Sequence, residues 1–333
     1  MSDGQEPLVS VLTPAYNMGR FLGECIESVL GQTYRNFEYN ILDNSSTDDT
    51  PAIVERYAKA DNRIRVYRNE RLLEIIANHN KAFRLVSPSA KYCKVVSADD
   101  WLFPECIARM VNLADAYPSV GIVGSYQLSG GGTDWRQWRV KWAELPYPSP
   151  VIPGREICRR YLLGGPYVFG TPTSTLYRAD LVRLEDSFYP NSTAEADASA
   201  CIKYLSVSDF GFVHQILSYE RVHQAQVTTT SKKLHAYWLS KINDLHEYGA
   251  LYLTAEELED RLKGLMEQYY GLLAASAVNF REKTFWAHHE KRLREIGIPL
   301  RRTKLAKAIS LKVLDLLLNP KQTLEKFLTR DAQ

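Results

Sequence analysis

From Leu8 to about Asp100 the chain alternates strand-like and helix-like stretches, and no other feature narrows the possible folds as much. "LVSVLTPAY" is rich in β-branched residues and bounded by Pro14. Phe21, Leu22, Cys25, Ile26, Val29 and Leu30 then recur at helical spacing until Gly31. "FEYNILDNSS" is a second strand, and "TDDTPAIVERYAKA" a helix with acids and Pro51 at its start, where both are favoured. "IRVYRN" is a third strand, about 75–86 a helix, and "YCKVVSADD" a fourth strand. A βαβαβαβ order predicts a mainly parallel sheet with helices on its faces. Ligands of such sheets bind beyond the carboxyl ends of the strands.

Three of those ends are unusually polar: Pro14-Ala15-Tyr16-Asn17, Asp43-Asn44-Ser45-Ser46 and Ser97-Ala98-Asp99-Asp100. The topology brings them to one edge of the sheet. Asp43 suits hydrogen bonding to a base or ribose, although the same residue types also make turns and helix caps. Adjacent carboxylates raise each other's pKa and are costly to bury unpaired. A divalent cation would make Asp99 and Asp100 useful, because Mg²⁺ or Mn²⁺ takes one or two carboxylates together with diphosphate oxygens and water. No GxGxxG follows the first strand, so phosphates need a metal or basic side chains.

Later segments are less regular. An amphipathic helix follows Pro104, then the strand "VGIVGSYQL". "SGGGTDWRQWRVKW" and "LPYPSPVIPG" read as long loops, with the glycine run as a hinge. In "TAEADASACIKYL", Glu195 and Asp197 precede a helix; either serves as a general base, or both complement the helix dipole. Arg221 and His223 fall on one face of the strand "ILSYERVH", where Arg clamps phosphate and His ligates metal or meets diphosphate, unless both are simply solvent-exposed. The seven histidines lack zinc-site spacing.

The 333 residues are 45% hydrophobic with a formal net charge of +2, which excludes a disordered chain and gives no electrostatic basis for nucleic-acid binding. Five scattered cysteines without a CxxC pair read as reduced thiols. The N-terminal "MSDGQEPLVS" lacks a signal-peptide pattern, and no apolar run reaches the roughly 20 residues of a membrane span. A cytoplasmic protein is expected.

In this order, PAYN, "LDNSSTDD", "SADDWL", an acid before a helix, and "LSYERVH", the motifs resemble the family 2 glycosyltransferases of the GT-A fold, over about residues 8–228. The resemblance implies a GT-A type, Rossmann-like α/β domain over 1–230, with a nucleotide-sugar-binding part at about 8–105 and an acceptor part at about 106–230. A helical region, 231–333, follows it. It further implies inverting transfer of a sugar from a nucleotide-diphosphate sugar to a saccharide or lipid-linked acceptor, in bacterial polysaccharide or glycoconjugate synthesis. Pro14, Ala15, Tyr16, Asn17, Asp43, Asn80, Ser97, Ala98, Asp100 and Arg221 would bind the donor, and Asp99 and His223 the metal, Mg²⁺ or Mn²⁺. Asp197 would be the base, with Glu195 as the second candidate. Ser97, Ala196 and His79 depart from the family's usual Asp, Glu and Arg at those positions. The rival readings are a nucleotidyltransferase and a non-catalytic nucleotide-sugar-binding relative.

In the tail, Arg301, Arg302, Lys304, Lys307 and Lys312 alternate with Leu305, Ile309, Val313, Leu316 and Leu317. Such a helix packs against protein, its own or a second copy, or lies on the inner face of an anionic membrane.

Overall fold

The computed structural model describes residues 6–131, 135–145, 149–193, 195–223, 231–279 and 281–319. The chain divides into two compact units, Met1–Thr229 and Thr230–Gln333.

The first unit begins β1 (Val9–Ala15), α1 (Gly19–Leu30), β2 (Phe37–Asp43), α2 (Thr50–Ala60), β3 (Ile64–Arg68), α3 (Ile75–Phe83) and β4 (Tyr92–Val95). It continues β5 (Trp101–Leu102), α4 (Cys106–Ala116), β6 (Val120–Gly130), β7 (Arg139–Lys141), β8 (Val151–Ile152), α5 (Gly154–Leu162), β9 (Thr175–Arg178), α6 (Ala179–Val182), α7 (Ala196–Tyr204) and β10 (Asp209–Arg221). One ten-stranded sheet runs β3-β2-β1-β4-β9-β6-β10-β5, with β7 on β6 and β8 on β10. β1 pairs in parallel with β2 and β4, and β2 with β3. β9 is antiparallel to both β4 and β6, so β6 and its parallel partner β10 point the same way as β1.

The 3-2-1-4 order puts a reversal of winding between β1 and β4, which is where a doubly wound sheet opens its ligand crevice. The register sharpens the point. Ala15 pairs with Asp43 and Asp43 with Arg68, so three strands end in one row.

Burial explains the elements. β2 is buried at every residue, as expected of a strand covered on both faces. α1 buries Leu22, Cys25, Ile26 and Val29, an i, i+3, i+4, i+7 stripe, and stops at Gly31, whose N–H reaches the Glu27 carbonyl. That stripe joins Val9, Val11, Tyr39 and Met110 in the main core. Truncating Leu22 or Ile26 to Ala there costs about 2–5 kcal/mol. The five cysteines are buried and none is in a disulfide.

Two expectations need correction. The two segments read as loops carry β7 and β8, strands too short to show a periodic signal. Nor is the glycine run a hinge at Gly130 and Gly131; Gly132 lies outside the described residues. A Cβ on Gly130 would meet Trp138 at 2.4 Å, and one on Gly131 the Val222 carbonyl oxygen at 2.3 Å. Glycine lets the ends of β6 and β10 close together, and the Val222 N–H donates to the Gly130 carbonyl at 2.7 Å.

The second unit is helical: α8 (Tyr237–Tyr252), α9 (Ala255–Val278), α10 (Lys283–Glu295) and α11 (Arg302–Leu318). A Thr254–Glu257 capping box starts α9. Leu265 and Tyr269 of its predicted face are buried; Leu258, Leu262 and Met266 are half-buried. His289 is fully buried: the Tyr269 hydroxyl meets Nδ1 at 2.6 Å, and Nε2 meets the Leu234 carbonyl at 2.9 Å. Burial pushes its pKa down to about 4, so this imidazole is a neutral structural link.

Candidate active site

The ends of β1 and β2 hold each other through backbone groups. Asn17 and Ser45 take left-handed φ values of 51° and 59°, conformations that non-glycine residues adopt at a cost of about 1–2 kcal/mol. Asn17 recovers it locally. Its N–H donates to Ser46 Oγ at 2.9 Å, and its Oδ1 accepts from the Thr47 N–H at 2.8 Å. Tyr16, directly after β1, has 40% of its surface exposed. Asp43 is buried: Oδ1 accepts from the Ser46 N–H at 3.0 Å, and Oδ2 lies 3.2 Å from Arg68 Nε. The turn is therefore prewired, with an aromatic face left open at the sheet edge.

The adjacent acids behave differently. Asp99 Oδ2 lies 3.0 Å from His223 Nε2, across 124 residues of sequence. Asp100 turns inward, and both of its oxygens are taken. Oδ2 accepts from Thr173 Oγ1 at 2.6 Å and Oδ1 from the Arg221 N–H at 3.1 Å. Burial, then the Asp99 charge, pushes the Asp100 carboxyl well above the usual carboxylate range. Thr173 also accepts from the Ser97 N–H at 3.1 Å, so one hydroxyl joins both ends of the Ser97–Asp100 turn. Thr173 sits in a 3₁₀ turn, Pro172–Ser174, held from below by the buried Lys94 ammonium, which donates to the carbonyls of Thr173 and Thr175.

Arg221 backs Asp99. Its Nε donates to the Asp99 carbonyl at 3.2 Å and its guanidinium pairs with Glu24 at 2.6 Å. Phe21 and Trp101 flank the guanidinium, their centroids 4.7 and 5.0 Å from Cζ. Phe21 also lies 5.0 Å from the His223 ring.

Asp197 is in the first turn of α7. Its Oδ1 accepts from the neighbouring Ala198 N–H at 3.0 Å, and its own N–H also bonds the carboxyl. Its surface is partly open, yet the protein closes round the carboxyl deeply enough that burial raises its pKa to about 6. Lys141, ion-paired with Glu220, partly offsets that rise. Glu220 in turn pushes Asp100 up, so the two acidic regions share one field. Glu195 precedes α7, and its carbonyl accepts from the Ser199 N–H.

The structure thus joins Asp99, Asp100, Arg221 and His223, and separately Pro14–Asn17 with the Asp43 turn. Ala98 is buried in the core cluster. Asn80 is not placed for a donor: its amide exchanges two hydrogen bonds with the Tyr189 backbone, at 2.8 and 3.0 Å, and is spent on that loop. His79 stacks on Tyr189. Sequence reasoning missed Arg68, Glu24, Thr173 and Lys94. Arg68 was accessible as a fourth polar strand end; Thr173 was not, because 73 residues separate it from Asp100.

A divalent cation suits this donor set. A carboxylate oxygen and an imidazole nitrogen 3.0 Å apart match one edge of an octahedron with bonds of about 2.1 Å. Among the described residues no group of three or more His, Cys, Asp or Glu could hold a metal.

A doubly wound sheet with an acidic centre at its switch point defines an α/β domain of the GT-A type. The model for glycosyl transferase family 2 matches residues 10–183, and the chain belongs to that family. Glycosyltransferase GlyG of Streptococcus pneumoniae is 32% identical over 127 residues, 37% of this chain and 42% of that protein. The chain therefore spans less than half of that relative. TarS 1–349 of S. aureus, solved with UDP-GlcNAc, superposes with a TM-score of 0.66 at 14% identity, over 90% of this chain and 89% of that one. A mannosyltransferase from Pyrobaculum calidifontis, solved with GDP-Man and Mn²⁺, gives 0.53 at 15% identity, over 93% and 88%. At such identities these two likenesses establish the fold.

Proposed function

We propose that the chain transfers a sugar from a nucleoside diphosphate sugar to a hydroxyl of a saccharide or lipid-linked acceptor, with inversion at the anomeric carbon. The acceptor oxygen attacks that carbon while its proton passes to Asp197. The bond from the anomeric carbon to the diphosphate oxygen breaks, and the nucleoside diphosphate leaves. A base with a pKa of about 6 is ionised at neutral pH and still basic enough to take the proton. Tyr16 offers the base a stacking face, Asp43 its neighbouring hydrogen-bond acceptor, and Asn17 and Ser97 line the same edge. Asp99 and His223 would hold Mg²⁺ or Mn²⁺, which would neutralise charge on the leaving diphosphate. Arg221 acts by fixing Asp99.

The observation that carries this reading is the meeting of Asp99 with His223 at the sheet edge where a doubly wound fold binds its ligand. The nucleotide-sugar complexes of the two structural neighbours agree with it. The first test is a thermal-shift screen of nucleoside diphosphates and their sugars with and without Mn²⁺. At ~100 times its dissociation constant a ligand adds about 2.7 kcal/mol. One nucleotide should give a Mn²⁺-dependent shift that Asp99→Asn abolishes. Product analysis with that donor should then show nucleoside diphosphate. Pyrophosphate released from the corresponding nucleoside triphosphate and a sugar 1-phosphate would instead make the chain a nucleotidyltransferase, and binding without turnover a non-catalytic relative.

A further inference from the structure

The last described helix of the second unit, α11, is apolar on two sides, and the sequence stripe described above belongs mostly to the inner one. α11 packs against α9, and the Arg301 N–H just before it donates to the Tyr270 hydroxyl at 2.9 Å. Its half-buried residues are Leu305, Ala308, Ile309, Lys312 and Leu316. At about 100° per residue these fall within one third of the helical wheel, which is the packed side. Leu311, Leu314, Leu317 and Leu318 fall on the other side and are 51–71% exposed. No residue of α11 is buried. Four exposed leucines in the last two turns form an apolar strip with no partner among the described residues, which solvated helices ordinarily avoid.

The charges around the strip select its occupant. Arg301, Arg302, Lys304 and Lys307 are exposed at the start of the same helix, and Lys304 and Lys307 share the outward side with the leucines. Neither lysine makes an ion pair among the described residues. The only acid in α11, Asp315, is paired with Lys312 at 3.1 Å. Two copies paired in parallel along this strip would bring cations against cations, which disfavours that pairing. An anionic lipid surface offers both an apolar interior for the leucines and phosphates for the basic residues. The 17-residue helix is only about 26 Å long, and no helix of the described residues is long and apolar enough to cross a membrane. Its geometry suits lying in the interface.

We infer that α11 is a peripheral membrane-binding element: Leu311, Leu314, Leu317 and Leu318 insert at the acyl boundary of an anionic bilayer, and Lys304 and Lys307 contact its phosphates. The inference is independent of the sugar-transfer reading and would hold if that reading failed.

Flotation of the full chain with vesicles provides the test. Phosphatidylcholine vesicles containing phosphatidylglycerol should carry the protein up, and pure phosphatidylcholine vesicles should carry about tenfold less or none. Raising salt from low to near-molar concentration should release most of it, because the Debye length falls to about 3 Å. The pair Leu314→Glu with Leu317→Glu, and separately Lys304→Glu with Lys307→Glu, should each cut the bound fraction at least tenfold. All four positions are exposed, so circular dichroism melts should match the unmodified protein. Equal flotation of variants and parent would overturn the inference. So would absence of binding to both vesicle types. A concentration-dependent dimer abolished by Leu317→Glu, without vesicle binding, would assign the strip to a second copy instead.

Discussion

Asp100 and Asp197 both have carboxyls pushed up by burial, and their surroundings differ in what is done with them. Asp100 has donors on both oxygens, Thr173 from a 3₁₀ turn and the Arg221 N–H from β10. It ties three segments and thereby fixes its neighbour Asp99. Among the described residues, Asp197 receives backbone N–H groups of its own helix turn alone, from Ala198 and from Asp197 itself. A buried carboxylate satisfied from two directions is a brace, because moving it strands its donors. One satisfied only from its own helix turn keeps lone pairs for a proton. The same residue type, raised by the same physical cause, therefore serves rigidity in one place and proton transfer in the other.

The largest effect expected from this contrast is on Asp197. Asp197→Asn should lower turnover by ~10²–10⁴ while nucleotide affinity, read by thermal shift, stays at the parent value. Wild-type turnover in this variant would assign the base elsewhere. In the parent, turnover should fall about tenfold per pH unit below pH 6, as the carboxyl takes up its proton.

Stability should move the opposite way. The folded pKa of Asp197 is raised, so its favourable contribution is complete below the unfolded value near 4 and is lost as pH rises through about 6. At pH 7–8 its ionisation costs the fold about 2–3 kcal/mol. Asp197→Asn should therefore be the more stable protein at pH 8, with the difference shrinking towards pH 4; urea melts at both values read it.

Thr173→Val tests the brace. It leaves Asp100 Oδ2 without its donor, which should cost about 1–3 kcal/mol and weaken Mn²⁺-dependent nucleotide binding about 10–100-fold. Unchanged binding would show that Asp99 needs no support from Asp100. Arg68→Ala should have the smallest effect, about 1 kcal/mol or less in a melt, because the guanidinium paired to Asp43 is 59% exposed.

Much of this was readable from the chain. Helical spacing in α1, the polar strand ends and the alternation of elements predict a mainly parallel sheet with helices on its faces, and that sheet gathers Tyr16, Asp43 and Asp99 on one edge. Asp99 and Asp100 were told apart by the family resemblance and not by the residues themselves, since adjacent residues in a turn look alike until partners 73 and 124 positions away arrive. β7 and β8 were hidden by their length. The apolar stripe of the tail was visible, but which of two stripes packs on α9 was not.

Local periodicity and turn chemistry thus determine the element order, the edge at which ligand chemistry collects, and the residue types there, because each depends on near neighbours in the chain. Which carboxylate is braced, which keeps its lone pairs, which cation is spent behind Asp99 and which helix face remains bare were decided only by tertiary structure. Those outcomes depend on hydrogen-bond partners and burial supplied by segments far away in sequence, and a linear pattern does not carry them.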